Sequence, residues 1–347
     1  LIISQLTLKL AQGSGGRSVQ VFQGDSSYLY NTRMNELSPL GDYQVISPDR
    51  SVSGIDSNVF LAQQNDSYGF LDGNANCVIP FEWKDARPFS EGLAFVTNDS
   101  FTGFINKSGD KIIDSNKKWF SAFPFNEGFS IIMFNSQSMG ILNTAGDVVA
   151  TLEPYHHGYI DNAFHDGFFL VSRGDERYFT DTQGRVLAGK YWKDARCFQN
   201  GYAAVMNDDS LWGFIDTKGQ ITIPHQFDSV DWYYETYSGF DMNGRTWVSI
   251  DNSQFLINSQ GDKLTTEPMI FCPEFTINDG NQLTNAYVVF DEKISKYGIV
   301  NLDGEITYAL MYDKIEVLQD NIVVLNTTTE IIFGDTQGNI FFRKPIS

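Results

Sequence analysis

Positive charge is scarce in this chain. It has 24 lysine and arginine residues against 43 aspartate and glutamate residues, and its formal net charge is −19. The acidic residues are spread over the whole length, and no stripe of basic residues interrupts them. Phosphate backbones and anionic membrane surfaces repel such a protein, so we expect it to bind no nucleic acid. Apolar runs of the roughly 18 residues that a membrane span needs are also missing, which argues against membrane insertion.

Cysteine and histidine are also rare, with 3 and 4 residues. An odd number of cysteines cannot all pair, and none lies in a Cys-x-x-Cys motif, so we interpret them as small buried apolar side chains. These cysteines are Cys77, Cys197 and Cys272. His156, His157 and His165 form the histidine cluster of the chain. Adjacent histidines in a strand point to opposite faces, and no cysteine or carboxylate stands at ligand spacing nearby, so we expect no metal site.

Glycine and aromatic residues are abundant and follow a regular spacing. The segment from Trp212 to Pro224, Trp-Gly-Phe-Ile-Asp-Thr-Lys-Gly-Gln-Ile-Thr-Ile-Pro, is one copy of a unit that recurs along the chain. Consecutive copies are 34 to 43 residues apart. A fixed repeat predicts an array in which each copy buries its apolar face against its neighbours. Other copies begin at Tyr68, Thr102, Met139, Arg177, Gln254, Tyr297 and Ile331, and the turn glycines that follow the copies are Gly109, Gly146, Gly184, Gly219, Gly261, Gly304 and Gly338.

Each copy is predicted to form a three-stranded antiparallel meander. In residues 92–113, two short apolar strands flank a polar turn, and a Lys-Ser-Gly-Asp turn leads into the third strand. A crossover such as Trp83-Lys84-Asp85-Ala86-Arg87-Pro88-Phe89 follows a copy, and its aromatic and alanine residues are expected to pack between adjacent sheets. The predicted first strands number nine: Val19–Phe22, Val59–Ala62, Leu93–Val96, Phe129–Met133, Phe168–Val171, Tyr202–Val205, Trp247–Ile250, Tyr287–Phe290 and Ile322–Leu325.

These motifs resemble the bacterial WG (KWG) β-repeat family. The resemblance is carried by Trp-Gly-Phe-Ile-Asp, a Lys-Gly turn, an Ile-x-Ile-Pro end and a Phe-x-x-Gly-Tyr-Ala-Ala-Val restart, and it covers residues 28–342. The Trp-Gly pair itself is intact at Trp212-Gly213, whereas other residues replace the tryptophan in the remaining copies. The family implies scaffold-like interaction modules in bacterial proteins, with no shared catalytic residues.

The predicted fold is therefore all-β, an array of about nine three-stranded antiparallel units. Small sheets packed face to face can close into a propeller-like or strongly curved arrangement, which the Gly, Ala and Val content of the first strands favours. The alternative is an open β-solenoid or superhelix.

The first residues of the chain differ from the repeats. Residues 13–18, Gly-Ser-Gly-Gly-Arg-Ser, have the composition of an engineered linker, so residues 1–12 are interpreted as a tethered peptide and residues 19–347 as the repeat domain. Leu6, Leu8 and Leu10 alternate with polar residues, as in a half-buried strand that could add to a sheet edge. The alternative interpretation is a natural N-terminal strand followed by a glycine-rich loop.

Catalytic signatures are missing from the sequence. It contains no Gly-x-Ser-x-Gly, P-loop, dinucleotide fingerprint or aspartate-rich calcium loop. A glycosidase-type pair could be drawn from its many acids, but several acids share one repeat position, which predicts that they cap a turn. These acids are Asp72, Asp181, Asp216 and Asp335. We therefore expect no enzymatic activity and no cofactor.

Two aromatic segments depart from the repeat where a partner could bind. Tyrosine and tryptophan are favoured in recognition hot spots, although filling gaps in a phenylalanine-rich core would also explain them. The candidates are Tyr155, His156, His157 and Tyr159 in one segment and Trp232, Tyr233, Tyr234 and Tyr237 in the other.

The preferred function is a monomeric, non-catalytic module that binds a protein or peptide, of the adaptor, chaperone or immunity type for a toxin or secretion partner. The alternatives are a glycan-binding surface or periplasmic protein that stacks sugars on Trp232 and Tyr233, and a carbohydrate-active enzyme. The compartment stays open, with the cytoplasm favoured over the periplasm.

Overall fold

The structure is a computed structural model that describes residues 7–9, 18–23, 26–31, 36–46, 59–136, 138–152, 163–230, 239–272, 285–318 and 321–346. These ranges contain strands, turns and one 3-10 helix, Leu187–Gly189. Within them, no helix has the length and apolar character of a membrane span. The chain divides into two compact units, Leu1–Leu187 and Ala188–Ser347.

Unit 1 holds five consecutive antiparallel sheets. The first sheet is β1 (Thr7–Lys9), β2 (Ser18–Gln23), β3 (Ser26–Asn31) and β4 (Glu36–Pro39); the second is β5 (Gln44–Val45), β6 (Val59–Gln64), β7 (Ser67–Asp72) and β8 (Cys77–Trp83); the third is β9 (Asp85–Ala86), β10 (Leu93–Thr97), β11 (Thr102–Asn106) and β12 (Lys111–Asp114); the fourth is β13 (Ser121–Ala122), β14 (Phe129–Met133), β15 (Met139–Asn143) and β16 (Val148–Leu152); the fifth is β17 (Phe168–Arg173) and β18 (Glu176–Asp181).

Unit 2 holds four more sheets of the same kind. The sixth sheet is β19 (Asp194–Ala195), β20 (Tyr202–Met206), β21 (Trp212–Asp216) and β22 (Ile221–Phe227); the seventh is β23 (Arg245–Ile250) and β24 (Ser253–Asn258); the eighth is β25 (Ile270–Phe271), β26 (Ala286–Asp291), β27 (Lys296–Asn301) and β28 (Ile306–Tyr312); the ninth is β29 (Lys314–Val317), β30 (Ile322–Asn326), β31 (Glu330–Asp335) and β32 (Ile340–Pro345).

The predicted all-β array of small antiparallel sheets is confirmed. Each of the nine predicted first strands coincides with a strand, from β2 to β30, and the described residues form nine sheets. The predicted number of strands per sheet is wrong, because a short strand from the crossover pairs with the first strand. In the third sheet, Val96 pairs with Ala86 and Thr97 with Asp85, which makes the meander four-stranded.

The apolar core lies between consecutive sheets and not within any one sheet. In unit 1, for example, Phe95 and Phe104 of the third sheet share one buried cluster with Ile132 and Leu142 of the fourth. Three further clusters of unit 1 and three of unit 2 likewise combine residues of two consecutive sheets. A small isolated sheet is barely stable in water, so this sharing supplies the burial that each sheet needs.

The crossovers fill these joints, as predicted from their aromatic and alanine residues. Trp83, Ala86 and Phe89 are buried in the cluster between the second and third sheets. Residues at the same spacing one copy later, Trp119 and Ala122 among them, are buried in the cluster between the third and fourth sheets. Tight packing of rings from both sides therefore determines the stacking of successive sheets within unit 1.

The glycine of the Trp-Gly pair is required by a close approach of the third strand. Trp212 pairs with Phe227 and Phe214 pairs with Ile223, so three residues of β22 lie opposite the single residue Gly213. A Cβ atom on Gly213 would lie 2.7 Å from the Ile223 carbonyl oxygen. Side chains larger than hydrogen are thus excluded at this position of the bulged pair.

Two sheets in which a larger residue replaces this glycine have no third strand within the described residues. Tyr178 occupies the position in the fifth sheet and Phe255 in the seventh, and each third strand is reduced to one isolated bridge. In the first and ninth sheets, Tyr28 and Ile332 also replace the glycine, but β4 and β32 pair there without the three-for-one bulge. The repeat therefore needs glycine where the third strand approaches the second closely, with the three-for-one bulge at Gly213 and without it at Gly103.

Hairpin turns of successive sheets in unit 1 are tied together by carboxylates. Glu91 accepts a hydrogen bond from the Gly128 amide at 3.0 Å. One copy later, Glu127 accepts hydrogen bonds from the Asp166 and Gly167 amides at 2.9 and 2.7 Å. Each carboxylate reaches the corresponding turn of the next sheet, so these bonds reinforce the stacking at one edge of the unit.

The interpretation of the cysteines as buried residues is wrong for Cys77. Its side chain is exposed at the start of the outer strand β8. Cys272 is buried as predicted, and Cys197 is half-buried.

Candidate peptide-binding edge

Nearly all residues predicted to bind a partner lie outside the described residues. Leu8 is the exception, because it belongs to β1 and pairs with Val21 in the first sheet. The residues outside the described ranges are Leu6, Leu10, Tyr155, His156, His157, Tyr159, Trp232, Tyr233, Tyr234 and Tyr237. The edge of the first sheet is therefore the part of the predicted site whose geometry can be described.

Strand β1 is antiparallel to β2 and lies at the edge of the first sheet. Thr7 pairs with Phe22, Leu8 with Val21 and Lys9 with Gln20. In the other four-stranded sheets, a crossover strand occupies this place beside the first strand of the meander. Residues 7–9 thus take the position that a crossover strand takes elsewhere.

In the sixth sheet, the crossover strand that occupies this position is held by contacts of its own side chains. Asp194 accepts a hydrogen bond from the Ala195 amide at 2.9 Å, and Arg196 forms an ion pair with Asp194 at 2.9 Å. The Arg196 guanidinium also lies 4.7 Å from the centre of the Trp212 ring. Only 13% of the Arg196 side chain is exposed, so its cation–π contact is partly desolvated and stabilising.

The same Asp-Ala-Arg motif recurs in the third sheet. Asp85 accepts a hydrogen bond from the Ala86 amide at 2.9 Å and pairs with Arg87 at 2.8 Å. Sequence reasoning assigned no role to this arginine. The signal was present, because Trp-Lys-Asp-Ala-Arg is written identically at residues 83–87 and 192–196.

The aspartates at the shared repeat position cap turns, as predicted. The Asp216 carboxylate accepts hydrogen bonds from the Lys218 and Gln220 amides, both at 2.9 Å. Asp72, Asp181 and Asp335 accept hydrogen bonds from the amides two and four residues later in the same way. These carboxylates are engaged with the backbone of their own turns.

These hydrogen bonds lower the pKa of several of the capping aspartates. Burial opposes the ionisation of Asp72, but bonds from the Asn76 side chain and from the Asn76 and Asn74 amides outweigh it, so the pKa of Asp72 falls below its ordinary value. The same balance of burial against hydrogen bonds lowers the pKa of Asp181 and of Asp335.

A triple variant, Asp72→Asn, Asp181→Asn and Asp335→Asn, is expected to lose stability less steeply in acid than the original protein. Since the folded-state pKa values are lowered, ionisation stabilises the fold above the unfolded-state pKa of about 4 and this contribution disappears as the pH falls below it. Asparagine keeps the acceptor oxygen, as Asn106 and Asn301 already show in their turns.

Urea unfolding at several pH values between about 7 and about 2.5 measures this difference across the titration range. The variant Asp209→Asn, at an exposed aspartate outside the repeat position, is the matched control. An acid dependence of the triple variant equal to that of the original protein would show that the turn carboxylates do not contribute as argued.

Other titratable groups in unit 2 are also held in the packed structure. The Tyr287 hydroxyl donates a hydrogen bond to the Asp241 carboxylate, and burial followed by the negative charge of Asp241 raises the pKa of Tyr287. Burial, and then the nearby Lys190 ammonium, lowers the pKa of His225.

No group of three or more His, Cys, Asp or Glu side chains is arranged to hold a metal ion in the described ranges. His165, from the predicted histidine cluster, instead closes a two-residue hairpin with Phe168.

Comparison with known proteins bears on the repeats and on the fold. A search of curated protein sequences finds no significant match. Solved structures with a similar fold include a eukaryotic initiation factor, which is 10% identical over 93% of this chain and 94% of its own, with a TM-score of 0.50. BamB from Moraxella catarrhalis is 10% identical over 88% of this chain and 90% of its own, with a TM-score of 0.37. Hsv2p from Kluyveromyces lactis is 9% identical over 88% and 97%, with a TM-score of 0.38.

At 10% identity, the similarity to the initiation factor concerns the fold and not the function. The sequence repeats are matched more directly. A model of the WG containing repeat matches residues 68–100, 179–209 and 212–252, and the last of these segments begins at the intact Trp-Gly pair. The model therefore matches three segments of this chain, which confirms the resemblance predicted from the sequence.

Proposed function

We propose that this chain is a non-catalytic, protein-binding repeat module that holds an extended peptide as an added strand of its first sheet. The segments that match the WG containing repeat contribute to a series of small antiparallel sheets. The carboxylates of the repeat position are engaged with turn amides, which supports a binding role rather than acid–base chemistry. The natural partner is proposed to be a toxin or secretion protein, with this chain as its adaptor, chaperone or immunity-type protein.

The pairing of β1 with β2 is the observation that carries the proposal. Main-chain hydrogen bonds supply affinity when a strand adds to a sheet edge, and alternate side chains supply specificity. Residues 7–9 occupy the edge that the crossover strand fills in other sheets. If residues 13–18 are a flexible linker, they hold residues 1–12 at an effective concentration in the millimolar range, which would populate even a weak complex.

The experiment separates the two segments. A chain of residues 19–347 is titrated with a synthetic peptide of residues 1–12, and binding is followed by calorimetry. We expect the peptide to bind this shortened chain and not the full chain, whose edge is already occupied. A peptide with Leu8→Pro should bind at least tenfold more weakly, because proline offers no N–H to the pairing strand.

Circular dichroism and urea unfolding of residues 19–347 provide the control for folding. A folded shortened chain that does not bind the peptide at concentrations up to about 1 mM would contradict the proposal, since the tether alone provides millimolar concentrations. An unfolded shortened chain would also contradict it, because residues 1–18 would then be an integral part of the first sheet.

A further inference from the structure

We propose that strand β32, at the edge of the ninth sheet, is a second docking surface, for a protein segment in which large apolar side chains are flanked by carboxylates. This surface is distinct from the β2 edge described above. Its residues are Ile340, Phe341, Phe342 and Ile346, and they are referred to below as the C-terminal apolar surface.

Concentrated apolar exposure distinguishes this surface from the rest of the described chain. Phe341 is 60% exposed and Phe342 is 56% exposed, while Ile340 and Ile346 are also exposed. Two phenylalanine side chains at this exposure leave on the order of 200 Å² of apolar area in water, and the isoleucines extend it. The largest apolar patch on a soluble protein often has a function in binding.

Outer strands of other sheets expose far less apolar surface. The position of Ile340 in the repeat is occupied by Val148 in β16, by Ile221 in β22 and by Ile306 in β28, and each of these is exposed. Scattered single residues of this kind are normal on protein surfaces. In β32, however, two phenylalanines follow directly, where β22 continues with a threonine and a buried isoleucine.

The strand is held in place by its own sheet before any partner arrives. Phe342 pairs with Phe333 of β31, and their ring centroids are 6.2 Å apart. Arg343 forms an ion pair with Glu330 at 2.9 Å. Because both contacts fix the strand, a partner would not have to order it, and the entropy cost of binding is reduced.

The free edge of β32 is poorly suited to a further strand. Pro345 lacks an N–H, the pairing with β31 shifts between Phe333 and Gly334, and two neighbouring side chains are cationic. Proline, irregular pairing and charge are features by which edge strands avoid strand addition. We therefore infer that a partner binds through the exposed side chains and not through main-chain pairing.

Charge identifies the chemistry of the partner. The chain as a whole carries a formal charge of −19, but β32 contains no acidic residue and two basic ones, Arg343 and Lys344. Lys344 forms no ion pair within the described part of the chain, so its charge remains available. Arginine and aromatic residues together are typical of binding hot spots. Carboxylates beside apolar groups complement this surface, whereas a second copy binding symmetrically through β32 would bring like charges together.

The test uses the full chain and a displayed library of random twelve-residue segments. The library is selected on the original protein and depleted on the double variant Phe341→Ser and Phe342→Ser. We expect enrichment of segments that combine large apolar residues with Asp or Glu. The most enriched segment, synthesised as a peptide, should bind the double variant at least tenfold more weakly and Lys344→Glu at least threefold more weakly.

The matched control is Ile221→Ser, at the equivalent position of β22 with 48% exposure, and it should leave the affinity unchanged. Failure to enrich any segment over the depleted pool, or enrichment of basic or uncharged segments, would overturn the proposal. An equal loss in the control would do the same.

Light scattering tests the competing occupant, because a dimer of the original protein that the double variant abolishes would assign the surface to a second copy. Binding of the peptide of residues 1–12 to the shortened chain should not change with the double variant, so the two proposals fail independently.

Discussion

Replacing Phe104 with alanine is expected to lower the free energy of unfolding by about 3–5 kcal/mol. Phe104 is fully buried in the cluster that joins the third and fourth sheets. Its ring centroid lies 6.0 Å from those of Phe95 and Trp119 and 4.8 Å from that of Phe125. These rings come from both sides of the joint, so truncation leaves a cavity between the two sheets. Neither sheet can fill this cavity unless its strands shift out of their pairing.

Urea unfolding followed by tryptophan fluorescence measures this loss. Phe120→Ala is the matched control, because Phe120 is next to Trp119 in the crossover of the same joint but is 57% exposed. The control should change stability by no more than about 0.5 kcal/mol. Comparable losses in the two variants, or a loss below about 1 kcal/mol for Phe104→Ala, would show that the stability does not reside in the shared clusters.

Gly103→Ala is expected to destabilise the third sheet by about 3 kcal/mol or more. A Cβ atom at this position would lie 2.0 Å from the Ile113 carbonyl oxygen and 2.7 Å from the tip of the Phe101 ring. The carbonyl belongs to the backbone of β12, so the clash is relieved only if that strand moves away from β11.

Gly92→Ala separates this steric effect from the ordinary conformational preference of glycine. Gly92 has a φ of +81°, but nothing lies within 4 Å of a Cβ atom built on it. Its substitution should therefore cost only about 1 kcal/mol. Hydrogen exchange of the β12 amides gives a second readout, because only Gly103→Ala should increase their exchange. Similar stabilities of the two variants would contradict the close approach of β12.

Much of the fold could be predicted because repetition multiplies weak signals. An apolar run of four residues, such as Leu93–Val96, does not identify a strand by itself. Nine such runs at recurring positions do so, and every one of them is a strand. The capping aspartates followed from the same logic, since residues that share a repeat position share a turn.

The short crossover strands could not be predicted in this way. Asp85–Ala86 and Ser121–Ala122 are only two residues long, which is too short for any periodicity to appear. Their pairing depends on the crossover being pressed against the next first strand by Trp83 and its equivalents, and that is a tertiary effect. The loss of the third strand in the sheets of Tyr178 and Phe255 could not be predicted either. Glycine is required in the second strand because the third strand lies so close to it, and this contact is not visible in the sequence of the second strand.

The candidate sites show a different limit. The aromatic segments around Tyr155 and Trp232 remain predictions, since they lie outside the described residues. The C-terminal apolar surface was missed because Ile340, Phe341 and Phe342 form a short apolar run, which sequence analysis interprets as a buried strand. The exposure of every residue of β32 appears only in the structure.

Sharing of each apolar cluster between two sheets also limits how such an array can change over generations. Duplication or deletion of one copy by recombination places two sheets side by side that were not neighbours before. The two sheets can pack only if their side chains at the new joint are complementary. The known joints share one spacing of crossover residues: Trp83, Ala86 and Phe89 in one, and Trp119, Ala122 and Phe125 in the next. We therefore expect the second and third copies to be exchangeable, because they present the same side chains at the same spacing.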